Sequence, residues 1–236
     1  MNTSPEAARA KAARLAGGMY LITMATAIFG QSFVRGSLLV RGDATQTAQN
    51  IIESERLFRI GIATDVVTFT GVVVLTWALY TWLRPMGRNL ALLAVLFRLV
   101  EVAIHYVSTL FSVVALLLLG GAHYLTTFNA DQLHSLARAA LGAQGAGLNL
   151  GFVPLGLGSA IAYLLLRSRY VPKALAAWGV FSSLLLTMSA ITVMVFPAVG
   201  PFVLATMIPM FTYEVAVGFW LLLKGARIRP GATNAA

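Results

Sequence analysis

Six long apolar stretches alternate with short polar ones along the chain. They cover residues 15–34, 57–83, 89–119, 136–166, 174–196 and 202–223. Each reaches the roughly 20 residues that an α-helix needs to cross a hydrocarbon layer about 30 Å thick. None shows the strict alternation of a membrane β-strand, and all are far longer than one. The pattern predicts an all-α polytopic membrane protein, a bundle of six transmembrane helices.

The breaks between these stretches carry turn and cap chemistry. Gly42-Asp43 reads as a turn, with Asp43 or Thr45 capping a helix that starts amphipathic and runs on into the second span. Residues 35–55 form the longest polar connection, which places Arg35 outside the first span. Arg84-Pro85-Met86-Gly87-Arg88 is a tight basic turn. Residues 120–132 read as a loop with Asp131 as the next cap, and Pro172 restarts a helix after Arg167 and Arg169. A cleaved signal peptide is the competing reading of the first span, because Ala25-Thr26-Ala27 resembles a cleavage site. The apolar run continues past it, which favours a retained helix. The expected organisation is a basic segment over residues 1–14, one six-helix membrane domain over 15–224 and a basic tail over 225–236.

The third span is the least uniform. It carries Arg98, Glu101 and His105. At 100° per residue, Glu101 lies about 60° and His105 about 20° from Arg98 around the helix. Ser108, Thr109 and Ser112 continue that side. A charge near the bilayer centre costs roughly 2.5–3.5 kcal/mol on insertion scales, so this stripe must face protein or water. Other spans add Asp65, Asn149 and Glu214. Counting about 1.5 Å per residue from the helix ends puts Arg98, Glu101, His105, Asn149 and Glu214 in one central slab, with Asp65 nearer the opposite face. Arg98 is expected to pair with Glu101, Glu214 or both, because its fork holds two carboxylate oxygens and keeps its proton. Glu55 and Arg59, four apart, can pair on one helix face, and Thr64 and Thr68 lie near enough to Asp65 to hydrogen-bond it. The Gly142–Gly151 region, rich in small residues, should let helix backbones approach closely. Pro154 and Pro209 should kink their helices.

Composition agrees with the pattern. Mean hydropathy is +0.81 and charged residues make up 11% of the chain, against about 25% in soluble domains. The net charge of +9 is no nucleic-acid signal, because the basic residues flank the apolar runs. One set of connections holds Arg9, Lys11, Arg14, Arg84, Arg88, Arg167, Arg169, Lys173, Lys224, Arg227 and Arg229; the other holds Arg35 and Arg41, with Arg56, Arg59 and Arg138 at helix ends. Positive charge collects on the cytoplasmic side, so both termini are expected there.

The absence of cysteine excludes disulfides, thiolate metal sites and cysteine nucleophiles. Glu101 and His105 have a spacing that could share a metal, but His123 and His134 offer no partner at membrane depth. No metal and no cofactor is therefore expected. Gly156-x-Gly158 lacks the strand–turn–helix setting of a phosphate loop, and no membrane-enzyme signature is present. Glu101-Val-Ala-Ile-His-Tyr in the third span echoes Glu214-Val-Ala-Val-Gly-Phe in the sixth, as in an inverted three-plus-three repeat.

Dispersed pieces of the chain resemble a bacterial family of six-helix integral membrane proteins, DUF4386. They include Ala13-Arg14-Leu15-Ala16-Gly17, Gly42-Asp43-Ala44, and Ser54-Glu55-Arg56-Leu57-Phe58-Arg59 with Gly61 and Asp65. Phe97-Arg98 with Glu101, Tyr170 with Pro172, and Glu214 ahead of Lys224 complete the set. The resemblance implies a bacterial inner-membrane protein and assigns no activity. Three functions fit these residues. One is binding or transport of an ion or small polar or amphipathic molecule by Arg98, Glu101, His105, Asn149, Glu214 and Asp65. Another is an intramembrane enzyme acting on a lipid-like substrate; catalytic residues are unknown, and the balance leans against an enzyme. The third is a non-catalytic membrane partner or regulatory subunit. The expected partners are the lipid bilayer and an ion or small molecule, and no nucleic acid.

Overall fold

A computed structural model describes residues 5–166 and 171–224. Residues 1–4, Arg167, Arg169, Tyr170 and the basic tail with Arg227 and Arg229 lie outside the described residues. The fold is all-α, with no strand among the described residues. Its helices are α1 (Pro5–Ile28), α2 (Ala44–Glu53), α3 (Glu55–Leu83), α4 (Arg88–Leu119), α5 (Ala130–Leu166), α6 (Lys173–Val195) and α7 (Gly200–Lys224). All but α2 contribute one of the six helices long and apolar enough to cross a membrane.

Several boundaries differ from the sequence reading. The first span does not end at Val34. Beyond α1 the helix continues through a π-helical segment, Phe29–Arg35, and a closing turn, Gly36–Leu38. The wider π turn carries Arg35 inside the helix, where it is buried. The amphipathic α2 is a separate helix, ended by a non-helical Ser54. Asp43 caps it as expected, accepting from the Gln46 N–H at 2.8 Å. Helix α5 begins earlier than residue 136, and its cap is Asn129 rather than Asp131. Asn129 Oδ1 accepts from the Gln132 N–H at 2.9 Å, and Gln132 Oε1 accepts from the Asn129 N–H at 3.0 Å, a reciprocal capping box.

The chain divides into two compact units. Of the described residues, the first comprises those through Met24, residues 70–102 and those from Leu150 onward; the second comprises Ala25–Phe69 and Ala103–Asn149. In the first unit, small residues let helices approach. A Cβ on Gly17 would stand 2.6 Å from the Leu222 nitrogen and 2.7 Å from the Gly218 oxygen, so α1 and α7 touch backbone to backbone there. The core around that contact mixes Ala13, Ala16, Ala78 and Ala94 with the large Trp82, Tyr163 and Tyr213. In the second unit, Val34, Ile51, Phe58, Ala115, Leu116 and Leu141 form the core, and Ile51 anchors α2 to it. Gly147 of α5 lies against Ser108 of α4, as the small-residue pattern predicts, whereas Gly142 faces open space.

Helix α4 shows the inverted polarity of a membrane helix. Arg98, Glu101, His105, Ser108, Thr109 and Ser112 are all buried, while Leu96, Val100, Val107 and Leu110 are more than half exposed. In water that arrangement would be unfavourable at both faces. Against lipid tails it satisfies both, because the apolar side chains meet hydrocarbon and the polar ones meet protein.

Candidate functional site

In the first unit, Arg98 and Glu101 stand one helical turn apart on α4. Arg98 Nη1 lies 2.9 Å from Glu101 Oε2. The i,i+3 spacing makes the two side chains neighbours on one helix face. Glu101 is 1% exposed, and an acid so placed is tolerable only beside compensating charge. Glu214 of α7, partly buried, is within electrostatic reach of both Arg98 and Glu101 but makes no ion pair at contact distance among the described residues. The expected pairing of Arg98 is therefore direct for Glu101 and at longer range for Glu214.

Three tyrosines complete this polar group, and the sequence reading did not single them out. Tyr20 of α1 and Tyr163 of α5 share a hydroxyl–hydroxyl hydrogen bond of 3.2 Å. The Tyr163 and Tyr213 rings pack with centroids 4.3 Å apart. The fully buried Tyr213 hydroxyl has no hydrogen-bond partner among the described residues. All three lie within electrostatic reach of Glu214. Gly179 of α6 makes room for the rings: a Cβ there would stand 2.5 Å from Tyr213 Cζ and 2.7 Å from Tyr163 Cδ2. Only tertiary packing gives these residues a shared role. In the sequence a tyrosine in an apolar run reads as core.

A narrow cleft reaches this group. It is lined by Tyr80 and Leu83 near the end of α3 and by Ala91, Val95 and Arg98 along one face of α4. Thr76 and Ser159 add hydroxyls to its wall. Its cavity volume is about 20 Å³, room for about one water molecule.

In the second unit the structure places Asp65, His105 and Asn149. Asp65 pairs with Arg35, not with the threonines. Arg35 Nη1 donates to Asp65 Oδ1 at 3.1 Å, and Arg35 Nη2 contacts Asp65 Oδ2, which makes the pair bidentate. Ser112 approaches the same Nη2 at 3.5 Å. The Thr64 hydroxyl bonds the Ile60 carbonyl, and Thr68 bonds the Thr64 carbonyl and Thr26. The signal that would have found Arg35 is its burial, which only the π-helical extension creates. His105 Nε2 donates to the Leu148 carbonyl at 3.2 Å and its ring packs on Phe69, so it is a hydrogen-bonded helix histidine. Asn149, on α5, is partly buried. Among the described residues no group of three or more His, Asp or Glu is placed to hold a metal. The surface pair is present, Arg59 Nε to Glu55 Oε1 at 2.6 Å.

Six long apolar helices with a buried polar stripe define an integral membrane protein that crosses the bilayer several times. The chain belongs to the family described as a domain of unknown function, DUF4386, whose match covers residues 15–225. No curated protein and no solved structure matches it.

Proposed function

We propose that this membrane protein binds, and moves or responds to, an ion or small polar species at Arg98, Glu101 and Glu214. The observation that carries this reading is the charge count in the first unit: two carboxylates face one guanidinium. A surplus negative charge in a low-dielectric interior costs several kcal/mol unless something positive joins it. Intramembrane acids of this kind mark ion and proton pathways. In the same reading, both termini face the cytoplasm of a bacterial inner membrane. The withdrawal of Arg35 into a buried pair strengthens that orientation, since it removes one positive charge from the opposite side's loops.

The test is thermal unfolding of the purified protein in micelles across pH and across lithium, sodium, potassium, magnesium, calcium, small carboxylates and small amines. A species held only by the folded state stabilises it by about 2.7 kcal/mol at 100 times its Kd. At least one condition should stabilise the wild type and leave the double variant Glu101→Gln/Glu214→Gln unmoved. Identical responses of the two proteins under every condition would remove the site. The narrowness of the cleft favours a second reading, a membrane partner subunit whose charges fix packing alone, and that negative result is what it predicts.

A further inference from the structure

We infer that the species taken up at Glu214 is a proton, delivered by water along the cleft that ends at Arg98. The inference rests on the reading of Arg98, Glu101 and Glu214 as a ligand site and narrows it to one chemical class.

Size and coordination decide between candidates. An organic ligand needs a pocket of about 300–1,000 Å³. The cleft offers about 20 Å³. A hard metal cation takes about six or more oxygens, or keeps several waters. Among the described residues no acidic or histidine cluster supplies that shell. Arg98 also keeps its charge at all accessible pH and repels a second cation. A proton needs no volume and one lone pair. Glu101 is already held against Arg98, so Glu214 is the surplus acid. The groups facing it are Arg98 and Glu101 from α4, Tyr20 from α1, Tyr163 from α5 and its own neighbour Tyr213. Among the described residues no second cation stands with them. The step is a simple exchange: hydronium gives its proton to the Glu214 carboxylate, leaving a carboxylic acid and a water.

The route follows from the lining. Leu83 is the last residue of α3, and Ala91 lies in the first turn of α4, either side of the basic turn at residues 84–88. Ala91, Ala94, Val95 and Arg98 then descend one face of α4 over about 10 Å. The water that the cleft holds therefore takes its proton from the membrane face that carries Arg84 and Arg88.

Two measurements test this on the full chain in proteoliposomes. Ala91→Leu and Val95→Phe, which fill the cleft, should slow the protonation of Glu214 after a pH jump, read by time-resolved infrared, while the lipid-facing Leu92→Phe and Leu99→Phe should not. Equal rates in the two sets would overturn the water route. Infrared difference spectra between acid and alkaline pH should show a carboxylic-acid carbonyl band that Glu214→Gln removes. If Glu214→Gln does not fold, Glu214→Asp should displace that band. A band that persists unchanged in the variant overturns the proton assignment. If sodium, potassium or calcium at fixed pH stabilises the wild type and pH does not, the site stands and its ligand is not a proton. If neither pH nor any cation distinguishes wild type from variant, the underlying site falls as well.

Discussion

Among the described residues, two arginine–carboxylate pairs are buried, and they are built on opposite principles. Arg35 and Asp65 come from different helices, 30 residues apart, and meet one to one in a bidentate contact. Each charge finds one partner, and Ser112 stands by the arginine. Arg98 and Glu101 come from one helix, and a second acid, Glu214, shares their arginine at longer range. The first arrangement is closed and ties α3 to the helical extension of α1. The second is open by one charge, with a tyrosine cluster and a water-sized cleft beside it. A balanced pair specifies packing; the unbalanced one is where the proposed proton binds.

The largest expected effect lies in the closed pair. Arg35→Leu or Asp65→Leu leaves a buried charge without its partner and should cost about 3–5 kcal/mol in denaturant unfolding from micelles. The double variant Arg35→Leu/Asp65→Leu should recover most of that loss, since a matched apolar pair often equals or exceeds a buried ion pair. If the double variant is as unstable as the singles, Arg35 and Asp65 do more than hold each other.

The open group should behave differently. Arg98→Leu leaves two carboxylates facing each other without a cation. Acids become neutral by taking protons as pH falls, so this variant should lose stability at alkaline pH and regain it on acidification. Asp65→Leu strands an arginine, which keeps its charge, and acid should not rescue it. Melting curves of both variants across pH would break the comparison if they ran parallel.

These two groups were unequally legible in the sequence, for a physical reason. Arg98 and Glu101 share one helix, so a spacing of three fixes their geometry before any tertiary contact forms. Glu214 could be placed near them by depth alone. Arg35 could not, because an arginine after an apolar run reads as a loop charge, and only the π-helical turn from Phe29 carries it inward. The six spans needed nothing beyond apolar length. The Tyr20–Tyr163–Tyr213 cluster needed the packing of α1, α5, α6 and α7, which no local pattern encodes. The Asn129–Gln132 capping box is local enough to show in its spacing, but the acidic Asp131 beside it presents an equally good cap.

Gly179 tests the support of the open group. An alanine there would meet both tyrosine rings at 2.5–2.7 Å and force them or α6 to move. Overpacking of this kind costs about 1–3 kcal/mol. Gly179→Ala should lower the melting temperature and perturb the near-ultraviolet tyrosine signal, whereas Gly142→Ala, in open space, should do neither. Equal melting of the two would mean that the rings have freedom to shift.

The smallest effect provides the zero of the scale. Arg59 and Glu55 form a third arginine–carboxylate pair, closer in distance than Arg98–Glu101, but the two side chains are 62% and 49% exposed. Water or headgroups screen both charges, and an i,i+4 pair on a helix surface contributes about 0.3–0.5 kcal/mol. Arg59→Ala should change unfolding free energy by no more than about that amount, and raising salt should erase the difference. A loss of several kcal/mol at Arg59 would mean that distance alone ranks these pairs. Burial and charge balance would then not be what separates Arg35–Asp65 from Arg98–Glu101–Glu214.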